Sequence, residues 1–213
     1  MEKCKKFIEL QLQDAEKGHG YDHIERVYGL AVAISKKEKT PNSLFIVSLG
    51  ALLHDIADWK FTGGDEEVAP RLASEWMKSE GVPEEDEEAV LHIIRHISYK
   101  GANVENKLKS IEGFIVQDAD RLDAIGAVGI ARCFAYGGYK NRALYDPNVP
   151  PVLHKTADDY KSNSSPSINH FYEKLLLLKD KMNTEAGREF AQKRHTFMEG
   201  FIKTFLAEWN SAE

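Results

Sequence analysis

Apolar residues recur along most of this chain at three- and four-residue intervals, the spacing of helices that bury one face. Phe7, Ile8, Leu10 and Leu12 mark a helix over 3–16 that ends near Gly18. Ile24, Val27, Leu30, Ala31 and Ile34 mark a second over 23–38, and Asp22 followed by Glu25 has the form of a capping box. Pro41 can open a third, running through Ser48 to Ala57. Helices are expected over 66–80 and 84–98, parted by Gly81-Val82-Pro83, and over 107–136, broken once. The last two lie at 167–181 and 184–209. Strand-like alternation is scarce, so the predicted fold is all-α: a single domain over 1–213 with its core at about 18–136 and a helical extension at about 167–209. The proline- and serine-rich stretch 137–166, with "DPNVPP" and "KSNSSPS", reads as a long polar loop.

Composition narrows the class without changing the fold. The 213 residues carry a net charge of −6 with acid and base interspersed, which argues against a nucleic-acid surface. Cys4 and Cys133 stand far apart with no CxxC partner, so no disulfide framework is expected. No stretch could span a bilayer and the N-terminus has no apolar signal core. The expectation is a cytoplasmic protein, monomer or homodimer, with a small-molecule substrate.

Four segments break the pattern with polar residues. They are "GHGYDH" (His19, His23), "LLHDIAD" (His54, Asp55, Asp58), "LHIIRHISYKG" (His92, His96, Lys100) and "VQDADRLDAIG" (Asp118, Asp120, Asp123). Two carboxylates at the edge of an apolar segment are costly unless compensated. A divalent metal is an economical compensation. On a helix over 44–58, His54 and Asp58 share a face, and Asp55 lies beside it. His23, at a helix start, and Asp120, in an apolar segment, are the natural further ligands. Spacing alone does not choose among Asp118, Asp120 and Asp123. Two imidazoles and two carboxylates suit Mn²⁺, Mg²⁺, Fe²⁺, Co²⁺ or Ni²⁺ over a thiolate-type zinc site, with positions left open for water and substrate.

The order His23 … His54-Asp55 … Asp120 resembles the H…HD…D signature of the HD-domain phosphohydrolases. The contexts "HGYDHIERVYGLA", "GALLHDIAD", "ISYKG" and "QDADRLDAIGAVGIAR" extend the likeness, and the C-terminal "INHFYEKLLLLKDKMNTEAGREFAQKRHTFMEGF" resembles one bacterial subgroup. The resemblance implies an all-helical fold around one divalent metal, Mn²⁺ first, held by His23, His54, Asp55 and Asp120. It implies hydrolysis of phosphate esters or anhydrides. In the subgroup, (deoxy)nucleoside triphosphates are cleaved to monophosphate and pyrophosphate. A 5′-nucleotidase-like phosphomonoesterase or a phosphodiesterase is the alternative, and a nucleotide-binding regulatory protein the rival of another class.

Asp58 takes the place of an acid that assists the attacking water. Lys100, Arg26, Lys60 and Arg121 are candidates to bind phosphate, since a triphosphate needs cations besides the metal. His92 is read as a substrate contact in preference to a ligand of a second metal. Asp123 is read as a partner for a ligand or for Arg121.

Overall fold

A computed structural model describes residues 1–13, 20–57, 65–98, 106–153 and 165–211. Helices carry the fold, and no strand occurs among the described residues. They are α1 (Glu2–Gln11), α2 (Tyr21–Lys37), α3 (Leu44–Leu53), α4 (Val68–Ser79), α5 (Glu84–His96), α6 (Ile111–Asp123), α7 (Gly126–Tyr139), α8 (Asn169–Glu173) and α9 (Glu185–Trp209). Two 3₁₀ turns, Leu175–Leu177 and Lys179–Lys181, lie between α8 and α9. None of these helices is long and apolar enough to cross a membrane.

The described residues form two compact units, one within 1–120 and one from 121 onward. The first is organised by α3. Its sequence LFIVSLGALL has no polar stripe, and Val47 to Leu53 are all buried. A helix apolar on every side has to be surrounded, and α3 packs against α1, α2 and α5. Cys4 and Ile8 of α1, Ile24 of α2, Leu49, Leu52 and Leu53 of α3, and Val90 and Ile94 of α5 share one cluster. Each fully buried Leu or Ile there contributes about 1.5–3 kcal/mol relative to exposure. In the second unit α7 packs on α9, and Phe134 meets Phe171, Phe201 and Phe205 at centroid separations of 6.0–6.1 Å. Phe134 is thus a packing residue. Lys140 lies over the rings of Tyr136 and Tyr139, and Arg142 over that of Tyr136.

Several boundaries differ from the sequence expectation, four of them for a local reason that can be named. Helix α2 begins at Tyr21 with Gly20 as its N-cap and no side-chain cap. Asp22 therefore lies inside the first turn, and Glu25 accepts from the Tyr21 hydroxyl at 3.3 Å, so no capping box forms. Pro41 does not open α3; Ser43 does, its hydroxyl accepting from the Ile46 amide. Helix α3 stops at Leu53, not Ala57. The expected helix 167–181 is α8 plus the two 3₁₀ turns, because Lys174, at φ −144° and ψ −59°, leaves the helical region. Four consecutive leucines (175–178) cannot share one helical face; Leu175 and Leu178 are the two buried.

The break expected within 107–136 falls at Ala124-Ile125, between α6 and α7. The corner is tight. A Cβ built on Gly129 would lie 2.2 Å from the Ala124 carbonyl oxygen, a backbone atom that no rotamer change can remove. Helix propensity favours alanine over glycine by about 1 kcal/mol. Overpacking against fixed atoms costs about 3 kcal/mol at the upper end of its range. Gly129→Ala is therefore expected to destabilise by a net of about 2 kcal/mol, lowering Tm by roughly 4–8 °C for a chain of this size. An unchanged or raised Tm in a thermal melt would show that the corner opens freely.

Candidate metal centre

Helix α2 places His23 one turn from its N-terminus, facing the core at 3% exposure. Helix α3 delivers His54 as its C-cap residue at 8% exposure. Helix α6 brings Asp120, half-buried, from its last turn. These three converge: one ligand atom from each lies within 4.8 Å of the others. Asp120 Oδ1 is 3.5 Å from His23 Nε2 and 3.9 Å from His54 Nε2, and the two imidazoles meet edge to face at 5.3 Å. Such separations suit ligands of one ion at bond lengths of about 2.0–2.2 Å.

His54 shows most directly what the cluster is prepared for. Its Nδ1 lies 2.8 Å from the Ala51 carbonyl oxygen. A carbonyl can only accept, so Nδ1 carries the proton and Nε2 presents a lone pair. That Nε2 is buried and has no hydrogen-bond partner among the described residues. An orphaned imidazole nitrogen is costly in a core, whereas a metal-ligating histidine commonly has its other nitrogen bonded to a backbone carbonyl. The residues present therefore fit a divalent cation. The same bond explains why α3 stops where it does: the His54 ring satisfies Ala51, one of the carbonyls a helix end leaves without a partner.

Of the remaining sequence-predicted residues, Asp55 follows His54 in the turn, half-buried, and is not among the three that converge. His92 is half-buried on α5, its Nε2 buried with no hydrogen-bond partner among the described residues and its ring 4.6 Å from that of His96. Arg26 lines a surface depression with Lys5, Asp22, Glu25 and Tyr28. The Arg121 guanidinium donates to the Lys181 carbonyl. Asp58, Lys60, Lys100 and His19 lie outside the described residues.

Asp123 is 1% exposed and pairs with Arg132 at 2.6 Å. Nothing in the sequence announced Arg132, or Arg194 of α9, which donates to the Leu122 carbonyl. No spacing rule connects an arginine to a helix end so far away in the chain.

Both thiols stand apart from this chemistry. Burial pushes Cys4 and Cys133 up to about 12, against the weaker opposing fields of the N-terminal ammonium and of Arg142 and Lys174. At pH 8 the thiolate fraction is then on the order of 10⁻⁴. Native protein treated with iodoacetamide at pH 8 is expected to keep its mass, and denatured protein to gain two adducts. Prompt alkylation of the native chain would contradict thiols held protonated.

The HD domain family profile matches residues 20–125. A crystal structure of an HD-superfamily hydrolase from Bacillus thuringiensis is 44% identical and superposes with a TM-score of 0.77, covering 98% of this chain and 96% of that one. YpgQ of Bacillus subtilis, itself uncharacterised, is 38% identical over 203 residues, 95% of this chain and 90% of its own. A crystal structure of YpgQ in complex with ADP matches at TM-score 0.75 and 37% identity, covering 97% and 93% of the two chains. The profile match and these relatives place the chain in the HD superfamily, and it is a metal-dependent phosphohydrolase.

Proposed function

We propose that the protein hydrolyses (deoxy)nucleoside triphosphates to the monophosphate and pyrophosphate. The observation that carries the substrate class is the ADP bound to YpgQ, a relative similar over nearly its whole length. A relative that holds a nucleoside diphosphate has room for a base, a sugar and at least two phosphates. His23, His54 and Asp120, with Asp55 beside them in sequence, would hold the divalent ion, Mn²⁺ first among the oxygen- and nitrogen-seeking metals. When bound, that ion supplies charge neutralisation and Lewis acidity at the phosphoryl group.

The chain's own residues do the rest. Asp58 takes the proton of the attacking water as the water oxygen bonds to the α-phosphorus and the α–β bridging bond breaks. The displaced pyrophosphate carries away the bonding electrons. Lys100, Lys60 and Arg26 supply cations to the phosphate chain. Arg121 ranks below them, because its guanidinium already serves the Lys181 carbonyl. His92 offers its Nε2, which has no hydrogen-bond partner among the described residues, to the substrate.

The test is product analysis by mass spectrometry. Protein with Mn²⁺ is incubated with nucleoside and deoxynucleoside tri-, di- and monophosphates, with His54→Ala as control. Monophosphate and pyrophosphate, absent in the control, are expected. Free nucleoside and phosphate would replace this reading with a phosphomonoesterase. Metal binding without turnover across the panel would replace it with a nucleotide-binding regulator.

A further inference from the structure

Helix α6 ends in an arrangement that stability alone does not require. Asp123 places a carboxylate at the C-terminus of the helix, where the dipole disfavours an anion. It is also 1% exposed, where an unpaired charge costs several kcal/mol. Two arginines compensate. Arg132 of α7 reaches Asp123 Oδ2 at 2.6 Å. Arg194 of α9 donates to the carbonyl of Leu122, one of the groups a helix end leaves without a partner. Burial lowers the pKa of the Arg194 guanidinium and the field of Asp123 opposes that, so the two groups interact. The stem of Arg194 lies on the bare face of Gly126, where a Cβ would meet its Cγ at 3.0 Å; Gly126 itself sits at φ +77°. Replacing a buried ion pair with apolar residues is often neutral or stabilising. What the pair and the guanidinium fork add is orientation: they fix one rotation and one length for the last turn of the helix.

Asp120 belongs to that turn. It lies three residues before Asp123, so the two share a face of α6. We propose that Arg194, acting with the Asp123–Arg132 pair, is a positioning residue for Asp120: it locks the end of α6 so that the Asp120 carboxylate meets His23 and His54 at ligand distance. This rests on the reading of Asp120 as a metal ligand. A ligand must be held within about 0.5 Å and 10–20° of its working geometry, and one loosened turn exceeds that.

The experiment measures Mn²⁺ binding by electron paramagnetic resonance on wild type, Arg194→Met, Arg194→Lys and His54→Ala, with far-ultraviolet circular dichroism as the folding control. Arg194→Met, folded, is expected to raise the Mn²⁺ dissociation constant about tenfold, the size of effect that groups behind metal ligands have. The line shape of its bound Mn²⁺ is expected to change. Arg194→Lys, which keeps the charge but not the fork, should fall between Arg194→Met and wild type. A folded Arg194→Met with wild-type affinity and line shape overturns the proposal while leaving the metal site intact. Should Arg194→Met not fold, Arg194→Lys is judged by the same two criteria. Wild-type Mn²⁺ binding by His54→Ala would instead overturn the metal-site reading on which the proposal rests.

Discussion

His54→Ala is expected to abolish tight binding of a divalent ion and, with it, phosphohydrolase activity. Groups standing behind metal ligands are worth 10–100-fold in affinity, so loss of a ligand should exceed about 100-fold. The effect on the fold is a balance of opposing terms. In the metal-free protein, His54 Nε2 is a buried nitrogen without a hydrogen-bond partner among the described residues, and that costs about 1–3 kcal/mol. Alanine removes this cost. It also removes the Nδ1 bond to the Ala51 carbonyl, a net loss of about 1 kcal/mol, and leaves a void where the ring stood. The balance for the apoprotein is small. Metal adds stability to the wild type alone, by about 2.7 kcal/mol at a hundred times the dissociation constant. Thermal melts with and without Mn²⁺ should therefore separate the two proteins only when the ion is present. Equal Mn²⁺-induced shifts in Tm would remove His54 from the ligand set.

The behaviour of His54 also shows which parts of the molecule the sequence makes legible. Where an apolar stripe repeats at helical spacing, as in α2, the element is readable, because burial of that stripe stabilises the helix. Helix α3 is readable as a helix, but its end is not. Apolar residues continue through Ile56, so no change of period marks the stop, and the stop is made by a side-chain hydrogen bond to Ala51. The stretch 167–181 misleads for a related reason: its four leucines satisfy a helical count, yet only Leu175 and Leu178 are buried.

Among the site residues, His23, His54 and Asp120 are legible because imidazoles and a carboxylate in apolar surroundings need compensation. The choice of Asp120 over Asp118 and Asp123 comes from the resemblance and not from spacing. All three sit in one helix, and their roles follow from what stands opposite: two imidazoles for Asp120, an arginine for Asp123. Arg194 is invisible for the same reason. It has no local signal, and its meaning depends on the Leu122 carbonyl that the fold brings to it.

Asp58→Asn is expected to lower turnover about 100-fold or more, the usual contribution of a positioned general base, while Mn²⁺ affinity stays at the wild-type value. A helix continuing past His54 would put His54 and Asp58 on one face. Helix α3 ends at Leu53, so that geometry does not hold. Proximity in sequence remains: Asp58 lies four residues after His54. Chemistry remains too. An asparagine can still hold a water through its carbonyl oxygen, but it cannot accept the proton released when that water attacks phosphorus. The substitution therefore separates proton transfer from water placement. A base role predicts a fall in kcat with KM little changed, and partial recovery in Asp58→Glu, which restores a carboxylate on a longer arm. Unchanged turnover in Asp58→Asn would end the base assignment. Loss of Mn²⁺ along with turnover would make Asp58 a ligand, and the proton acceptor would then have to be sought elsewhere, beginning with the buried Nε2 of His92.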